Sequence, residues 1–140
     1  MSPKMYSYLG TAPFIILMLS SFAASTENAI IILNVFYSAL SSLSLAFLAG
    51  AHWGQAVPSN NFGQYKVAIY FLMAIFASFV LTFILSKSSL PMLLYAGLFW
   101  LMYYMDKRYL PADSIPDGYF AHRYKLTMIV SVCLVITALT

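Results

Sequence analysis

Charged side chains are scarce in this chain. Its 140 residues include seven Lys or Arg and four Asp or Glu, so that 8% are charged, whereas about a quarter are charged in an average soluble domain. Four acids leave almost no candidates for the paired carboxylates of general acid–base catalysis. The single cysteine, Cys133, excludes an intrachain disulfide and a cysteine-based metal site. Its expected role is that of a small buried apolar side chain.

Known catalytic motifs are also missing. The sequence contains no P-loop, GxGxxG, HExxH, GxSxG or CxxC pattern, and we predict no cofactor, no metal site and no enzymatic activity. The cations form short collars between apolar segments rather than one dense basic patch. Such collars face anionic lipid headgroups, so a nucleic-acid partner is not expected.

Apolar residues make up 62% of the chain. A helix needs about 20 apolar residues to cross the hydrocarbon core of a bilayer. The strands of a membrane barrel instead alternate in polarity over about ten residues, which these runs do not. The sequence therefore predicts an all-α integral membrane bundle of five transmembrane helices, forming one domain over residues 1–140 within the lipid bilayer. The predicted helices cover residues 8–24, 29–54, 67–86, 90–105 and 124–140.

The cations are unequally divided between the two sides of the predicted bundle. Five crossings place the N-terminus and the second and fourth loops on one side, and the other side carries only Lys87. Because Lys and Arg accumulate on the cytoplasmic side, we predict a bacterial inner-membrane protein with its N-terminus cytoplasmic and its C-terminus outside. In a eukaryote, the same pattern predicts the mitochondrial inner membrane. The first helix is expected to remain uncleaved. The cation-rich side carries Lys4, Lys66, Lys107, Arg108, Arg123 and Lys125.

A row of small residues follows one face of the second predicted helix. Small residues at a spacing of four allow two membrane helices to approach closely. The row can pack inside the bundle, which we favour from sequence, or form a seam with a second copy. Under the first interpretation, a bulky residue at Gly50 or Gly54 forces packed backbones apart. The row consists of Ser38, Ser42, Ala46, Gly50 and Gly54.

Polar residues gather at the predicted inner helix ends. His52 lies near the end of the second helix, Asp106 follows the fourth and Arg123 precedes the fifth. A carboxylate and a guanidinium are costly when unpaired at the bilayer boundary and form bidentate hydrogen bonds when paired. We therefore expect these three side chains to meet, with Trp53 and Tyr119 at the edge of the cluster. A structural clamp is favoured, and a proton- or anion-handling site or a haem or metal site stays open.

These polar residues carry a resemblance to a known family. The stretch 50–54 (Gly-Ala-His-Trp-Gly), Asp106 and the stretch 119–127, together with the opening 8–14, resemble the domain of unknown function 3429 family of small bacterial inner-membrane proteins, which includes the mitochondrial transmembrane protein 69. The chain departs from the family pattern in its aromatic fourth helix and at Lys125. The resemblance implies a multi-helix membrane protein and brings no activity with it.

Three functions are compatible with the sequence. The favoured hypothesis is a non-enzymatic accessory or assembly subunit of a membrane complex, whose partners are other membrane protein subunits or a second copy of the chain. The first alternative is a small transporter or channel component that uses the polar cluster at the inner membrane face. The second alternative is a haem- or quinone-associated redox subunit of the membrane.

Overall fold

Five helices make up the described part of the protein. The computed structural model describes residue 5 and residues 8–60, 62–85, 88–109 and 118–139, and no strand occurs in these ranges. The prediction of an all-α bundle is confirmed. The helices are α1 (Ala12–Ala23), α2 (Glu27–Ser59), α3 (Phe62–Ile84), α4 (Leu90–Tyr109) and α5 (Tyr119–Leu139).

Three of these helices are long and apolar enough to cross a membrane, namely α2, α3 and α5. This is consistent with a membrane protein. Helix α1 has 12 residues, or about 18 Å at a rise of 1.5 Å per residue, and α4 carries Asp106, Lys107 and Arg108 near its end. Length and apolarity therefore identify three of the five predicted crossings.

Local signals explain where α2 begins and ends. The hydroxyl of Thr26 accepts a hydrogen bond from the backbone N–H of Ala29 at 3.1 Å, which caps the start of the helix. The acidic side chain of Glu27 lies in the first turn, where the helix dipole favours an anion. Asn60 adopts a left-handed conformation with φ of 51°, a common way for a helix to stop.

Two predicted loops are shorter than the sequence suggested. The helices predicted over residues 29–54 and 67–86 leave a loop between them, but α2 continues to Ser59 and α3 begins at Phe62. The side chain of Gln64 donates a hydrogen bond to Gln55 at 3.0 Å, so polar side chains join the two helices beyond their apolar runs. Helices α4 and α5 likewise extend into the predicted segment between residues 105 and 124. These apolar runs are thus shorter than the helices that contain them, because the backbone hydrogen bonds of a helix do not require apolar side chains.

Hydroxyl groups connect the helices inside the bundle. The hydroxyl of Tyr37 donates to the carbonyl oxygen of Phe14 at 2.7 Å and accepts from Thr137 at 3.0 Å, which joins α1, α2 and α5. Two further hydroxyl pairs link α2 to α3 and α4. Such bonds stabilise packing between membrane helices, where burial from water no longer drives association. The two pairs are Ser38 with Thr82 at 2.6 Å and Ser42 with Tyr95 at 2.7 Å.

A buried polar cluster at one end of the bundle

Three helices place the members of the polar cluster. His52 lies on the buried face of α2, two turns before the helix ends, Asp106 lies in the last turn of α4, and Arg123 lies in the second turn of α5. Helices α4 and α5 pack closely against each other. Since α4 ends and α5 begins at the same end of the bundle, the two charged residues come together there.

Asp106 is the centre of the cluster. Its Oδ1 atom lies 2.5 Å from Nε2 of His52, and its Oδ2 atom accepts a hydrogen bond from Nε of Arg123 at 3.1 Å. A carboxylate only accepts hydrogen bonds, so Nε2 of His52 carries the proton that it donates. The three residues are 4%, 2% and 9% exposed, in the order Asp106, His52 and Arg123. A buried charged pair with a third hydrogen-bonding partner therefore joins three helices.

The ion pair differs from the expected bidentate arrangement. Arg123 donates to Oδ2 of Asp106 through Nε, while Oδ1 of Asp106 contacts His52. Among the described residues, Nη2 of Arg123 and Nδ1 of His52 have no hydrogen-bond partner, although both atoms are buried. Buried polar groups are normally paired, so the cluster retains two nitrogen atoms that can bind a further group.

The two charges oppose the dipoles of their own helices. The C-terminal end of a helix is partially negative and the N-terminal end is partially positive, yet Asp106 lies near the end of α4 and Arg123 near the start of α5. Each charge is therefore disfavoured by its own helix. Their mutual attraction, in a region shielded from water, offsets this cost and fixes the two helix ends relative to each other.

The two aromatic residues predicted at the edge of the cluster are placed differently. Tyr119 is half-buried and lies one helical turn before Arg123 on α5. Trp53 is 45% exposed, and its ring packs edge-on against Tyr65 of α3 with a centroid distance of 4.8 Å. The structure thus brings His52, Asp106 and Arg123 together, with Tyr119 beside them, whereas Trp53 belongs to the contact between α2 and α3.

The same chain matches a family model over nearly its whole length. The model is described as a protein of unknown function, DUF3429, and it matches residues 2–139. The chain belongs to the DUF3429 family. No curated protein and no solved structure matches it. The resemblance that the sequence predicted is confirmed, and the chemistry of this DUF3429 protein has to be argued from its own residues.

Sequence reasoning missed two buried hydroxyl residues of the DUF3429 chain. Thr127 and Ser131 follow Arg123 at intervals of four along α5, and they are 1% and 5% exposed. Their hydroxyl oxygens have no hydrogen-bond partner among the described residues. The spacing was visible in the sequence, because residues four apart share one face of a helix. Burial of that face depends on the tertiary packing.

The small-residue row of the DUF3429 chain divides into two parts. Ser38 and Ser42 form the interhelical hydrogen bonds described above. Gly50 and Gly54, in contrast, are exposed, and a Cβ atom added at either position meets nothing within 4 Å. The expectation that these two glycines pack inside the bundle is wrong, because the buried face of α2 at this level is the one that carries Leu45, Ala49, His52 and Ala56.

The polar cluster offers few ligands to a metal ion. His52 and Asp106 are two potential ligands, but groups of three or more His, Cys, Asp or Glu side chains suited to a metal do not occur within the described ranges. Arg123 also places a positive charge beside the carboxylate. The arrangement is suited to holding helices together, to exchanging a proton at His52, or to binding an anion at Arg123.

Proposed function

We propose that this protein is a non-enzymatic accessory subunit that binds another membrane protein, or a second copy of itself, through the exposed glycine face of α2. The open positions at Gly50 and Gly54 carry this proposal. Glycine at a spacing of four lets a second helix approach the backbone closely, which favours helix association in lipid. Since none of the five described helices fills the face, a partner helix can occupy it.

The surroundings of the glycines support a helix-binding face. Phe47 and Val57 are 79% and 58% exposed and flank the glycines along α2. A shallow groove of about 340 Å³ also runs between α2 and α3 beside Gly50, with Ala46 and Ala68 among its lining residues. Large side chains beside small ones provide ridges and a groove, the arrangement by which helices interdigitate.

The proposal includes a topology of five crossings with a cytoplasmic N-terminus. It is supported by the unequal division of cations and by the length of α4, whose 20 residues extend about 30 Å, the thickness of the hydrocarbon core. Reporter fusions after Ser59 and Pro111 should both read as cytoplasmic and a fusion at Thr140 as external. Opposite readings at the first two positions would contradict this topology.

A glycine substitution tests the partner face. We expect Gly50→Leu to leave the melting temperature of the isolated protein unchanged or slightly higher, because a Cβ atom at this position meets nothing within 4 Å and leucine is a better helix former than glycine. The same variant should weaken self-association, or recovery of the native complex from membranes in mild detergent, as measured by native mass spectrometry.

The matched control is Gly97→Leu on α4. Gly97 is also exposed, and an added Cβ atom there also meets nothing within 4 Å, so this variant should leave the association intact. If Gly50→Leu and Gly97→Leu associate as the wild type does, the glycine face binds no partner. If Gly50→Leu unfolds, the face packs within the bundle after all.

A second function, a small transporter or channel component, is favoured by the hydroxyls that continue from the polar cluster. Arg123, Thr127 and Ser131 lie on one face of α5, and unpaired buried hydroxyls can bind water or pass protons. In proteoliposomes containing a pH-sensitive dye, this function predicts a proton flux that Thr127→Val lowers. The exposed variant Ser25→Ala, which also removes a hydroxyl, serves as control. Absence of flux in the wild type would exclude proton conduction.

A further inference from the structure

A cavity lies beside the polar cluster, between α1, α2 and α5. Its volume is about 520 Å³, which lies within the usual range of about 300–1,000 Å³ for ligand pockets. One end is lined by polar residues and the remainder mostly by apolar ones, so that the cavity matches an amphiphilic molecule. The polar lining residues are Thr11, Tyr119, His122 and Arg123 at this end, and Ser44 on the α2 wall.

The polar end offers two nitrogen atoms that lack partners. Nη2 of Arg123 and Nε2 of His122 are buried and have no hydrogen-bond partner among the described residues. Arg123 itself is 9% exposed, and its guanidinium is always charged. The ring of His122 is held by an edge-on contact with Tyr8, with a centroid distance of 5.0 Å. The guanidinium nitrogen is a charged donor, and Nε2 of His122 donates to an anionic oxygen in the form of the ring that carries its proton on this nitrogen.

The apolar walls continue from this polar end to the outside of the bundle. Leu126 and Val130 follow along α5, and Leu43 and Phe47 form the opposite wall on α2. Leu43 and Phe47 are 71% and 79% exposed, so the cavity opens where lipid surrounds the helices. An acyl chain can lie along these walls while its headgroup stays at the helix ends.

Charge at this end of the bundle favours an anionic headgroup. The last turn of α4 carries Lys107 and Arg108, and the exposed Lys125 follows Arg123 on α5. Asp106 is already paired with Arg123. Clusters of Lys and Arg beside membrane helices attract anionic lipids, and a guanidinium binds phosphate with directed hydrogen bonds.

A comparison with a second cavity, between α3 and α4, shows what distinguishes this one. That cavity measures about 410 Å³ and has Lys66 as its cation. The Lys66 ammonium already lies 4.7 Å from the centre of the Phe62 ring, and Lys66 is exposed. The cavity beside Arg123 therefore combines an apolar groove with buried donors that lack partners.

We propose that the cavity between α1, α2 and α5 binds an anionic phospholipid, with its phosphate at Arg123 and His122 and one acyl chain between α2 and α5. This inference does not depend on the partner face of α2. It assigns a ligand class to the cavity and gives the unpaired nitrogen atoms an acceptor.

Binding can be measured by native mass spectrometry of the purified protein in a neutral detergent. The probes are dioleoylphosphatidylglycerol, dioleoylphosphatidylcholine, oleate and inorganic phosphate. We expect the phosphatidylglycerol to bind at least about tenfold more tightly than the phosphatidylcholine, because both carry the phosphate and only the phosphatidylcholine adds a quaternary ammonium, which the cations at this end of the bundle repel. Equal affinity for the two phospholipids would overturn the proposal, and so would oleate or phosphate binding as tightly as phosphatidylglycerol.

Two variants test the site without disturbing the cluster of His52, Asp106 and Arg123. His122→Ala should weaken phosphatidylglycerol binding about tenfold through loss of one hydrogen bond to a charged group. Ser44→Phe should weaken it by filling the cavity, since Ser44 lines the wall on α2.

The controls carry the same kinds of change outside the cavity. Lys66→Gln removes an exposed cation of α3 that does not line this cavity, and Ala77→Phe adds the same bulk at an exposed position of the same helix. Both should change the affinity less than about twofold, a free-energy difference well below that of one hydrogen bond. If His122→Ala and Ser44→Phe bind the lipid no more weakly than these controls, the lipid does not occupy this cavity.

Discussion

The buried cluster predicts a large loss of stability when Asp106 is replaced by asparagine. The substitution keeps the shape of the side chain and removes its charge. Arg123, which is 9% exposed, is then left without a counterion inside the bundle, and His52 loses a charged acceptor at 2.5 Å. The perturbation is therefore electrostatic, with little change in packing.

The expected magnitude follows from the cost of an uncompensated buried charge. Breaking a buried ion pair by removing one partner costs about 3–5 kcal/mol. The amide oxygen of asparagine can still accept one hydrogen bond, so we expect Asp106→Asn to lower the free energy of unfolding by about 3 kcal/mol. That is a large part of the roughly 5–15 kcal/mol that stabilises a typical domain.

A double substitution separates the charge effect from other losses. Replacing both Asp106 and Arg123 by leucine removes both charges, which is often nearly neutral for a buried pair. Nε2 of His52 then lacks its acceptor, which costs about 1–3 kcal/mol. The double variant should therefore be less destabilised than the sum of the two single leucine variants, and the difference measures the coupling between the two residues.

Denaturant unfolding in detergent, followed by circular dichroism, measures these differences. Glu27→Gln is the control because Glu27 is an exposed acid, and loss of its favourable contact with the helix dipole costs about 0.3–1 kcal/mol. If Asp106→Asn is no less stable than Glu27→Gln, the carboxylate does not compensate Arg123 and the clamp interpretation is refuted.

Two further predictions concern the other end of the bundle. Tyr37→Phe should lower the free energy of unfolding by about 1–3 kcal/mol, because the buried hydroxyl donates one interhelical hydrogen bond and accepts another. Tyr104 is exposed, so the control variant Tyr104→Phe should have little effect. Equal losses of stability in the two variants would show that the Tyr37 hydroxyl does not stabilise the fold. Cys133 is 3% exposed on α5, so a maleimide should label it only after denaturation; rapid labelling of the folded protein would contradict its burial.

The positions of the helices could be predicted because the bilayer imposes one local requirement on sequence. Each apolar run predicts a helix, in which the backbone groups form hydrogen bonds to one another. The helix limits were less predictable. Residues such as Gln55 and Gln64 are polar, but they continue the helices and form a hydrogen bond across two of them. Polarity marks the edge of the apolar region, while capping groups such as Asn60 end the helix.

The polar cluster was predictable for a reason of topology. In the predicted topology, successive spans alternate in direction, so the ends of the second and fourth spans and the start of the fifth share one side. His52, Asp106 and Arg123 therefore had to lie at the same end of the bundle. The sequence did not predict which atoms form the contacts. One carboxylate oxygen of Asp106 contacts His52 and the other contacts Arg123, and this pairing depends on how the helices are rotated about their axes.

The glycine face illustrates what the sequence by itself does not determine. Periodicity places Gly50 and Gly54 on one face of α2 and His52 on another, since this follows from the pitch of a helix. Which face meets the other helices was decided by the tertiary structure, where His52 is buried and both glycines are exposed. Composition and helical pitch are local properties of the chain. The rotation of a helix in a bundle, and with it the face left open to a partner, depends on how all the helices pack together.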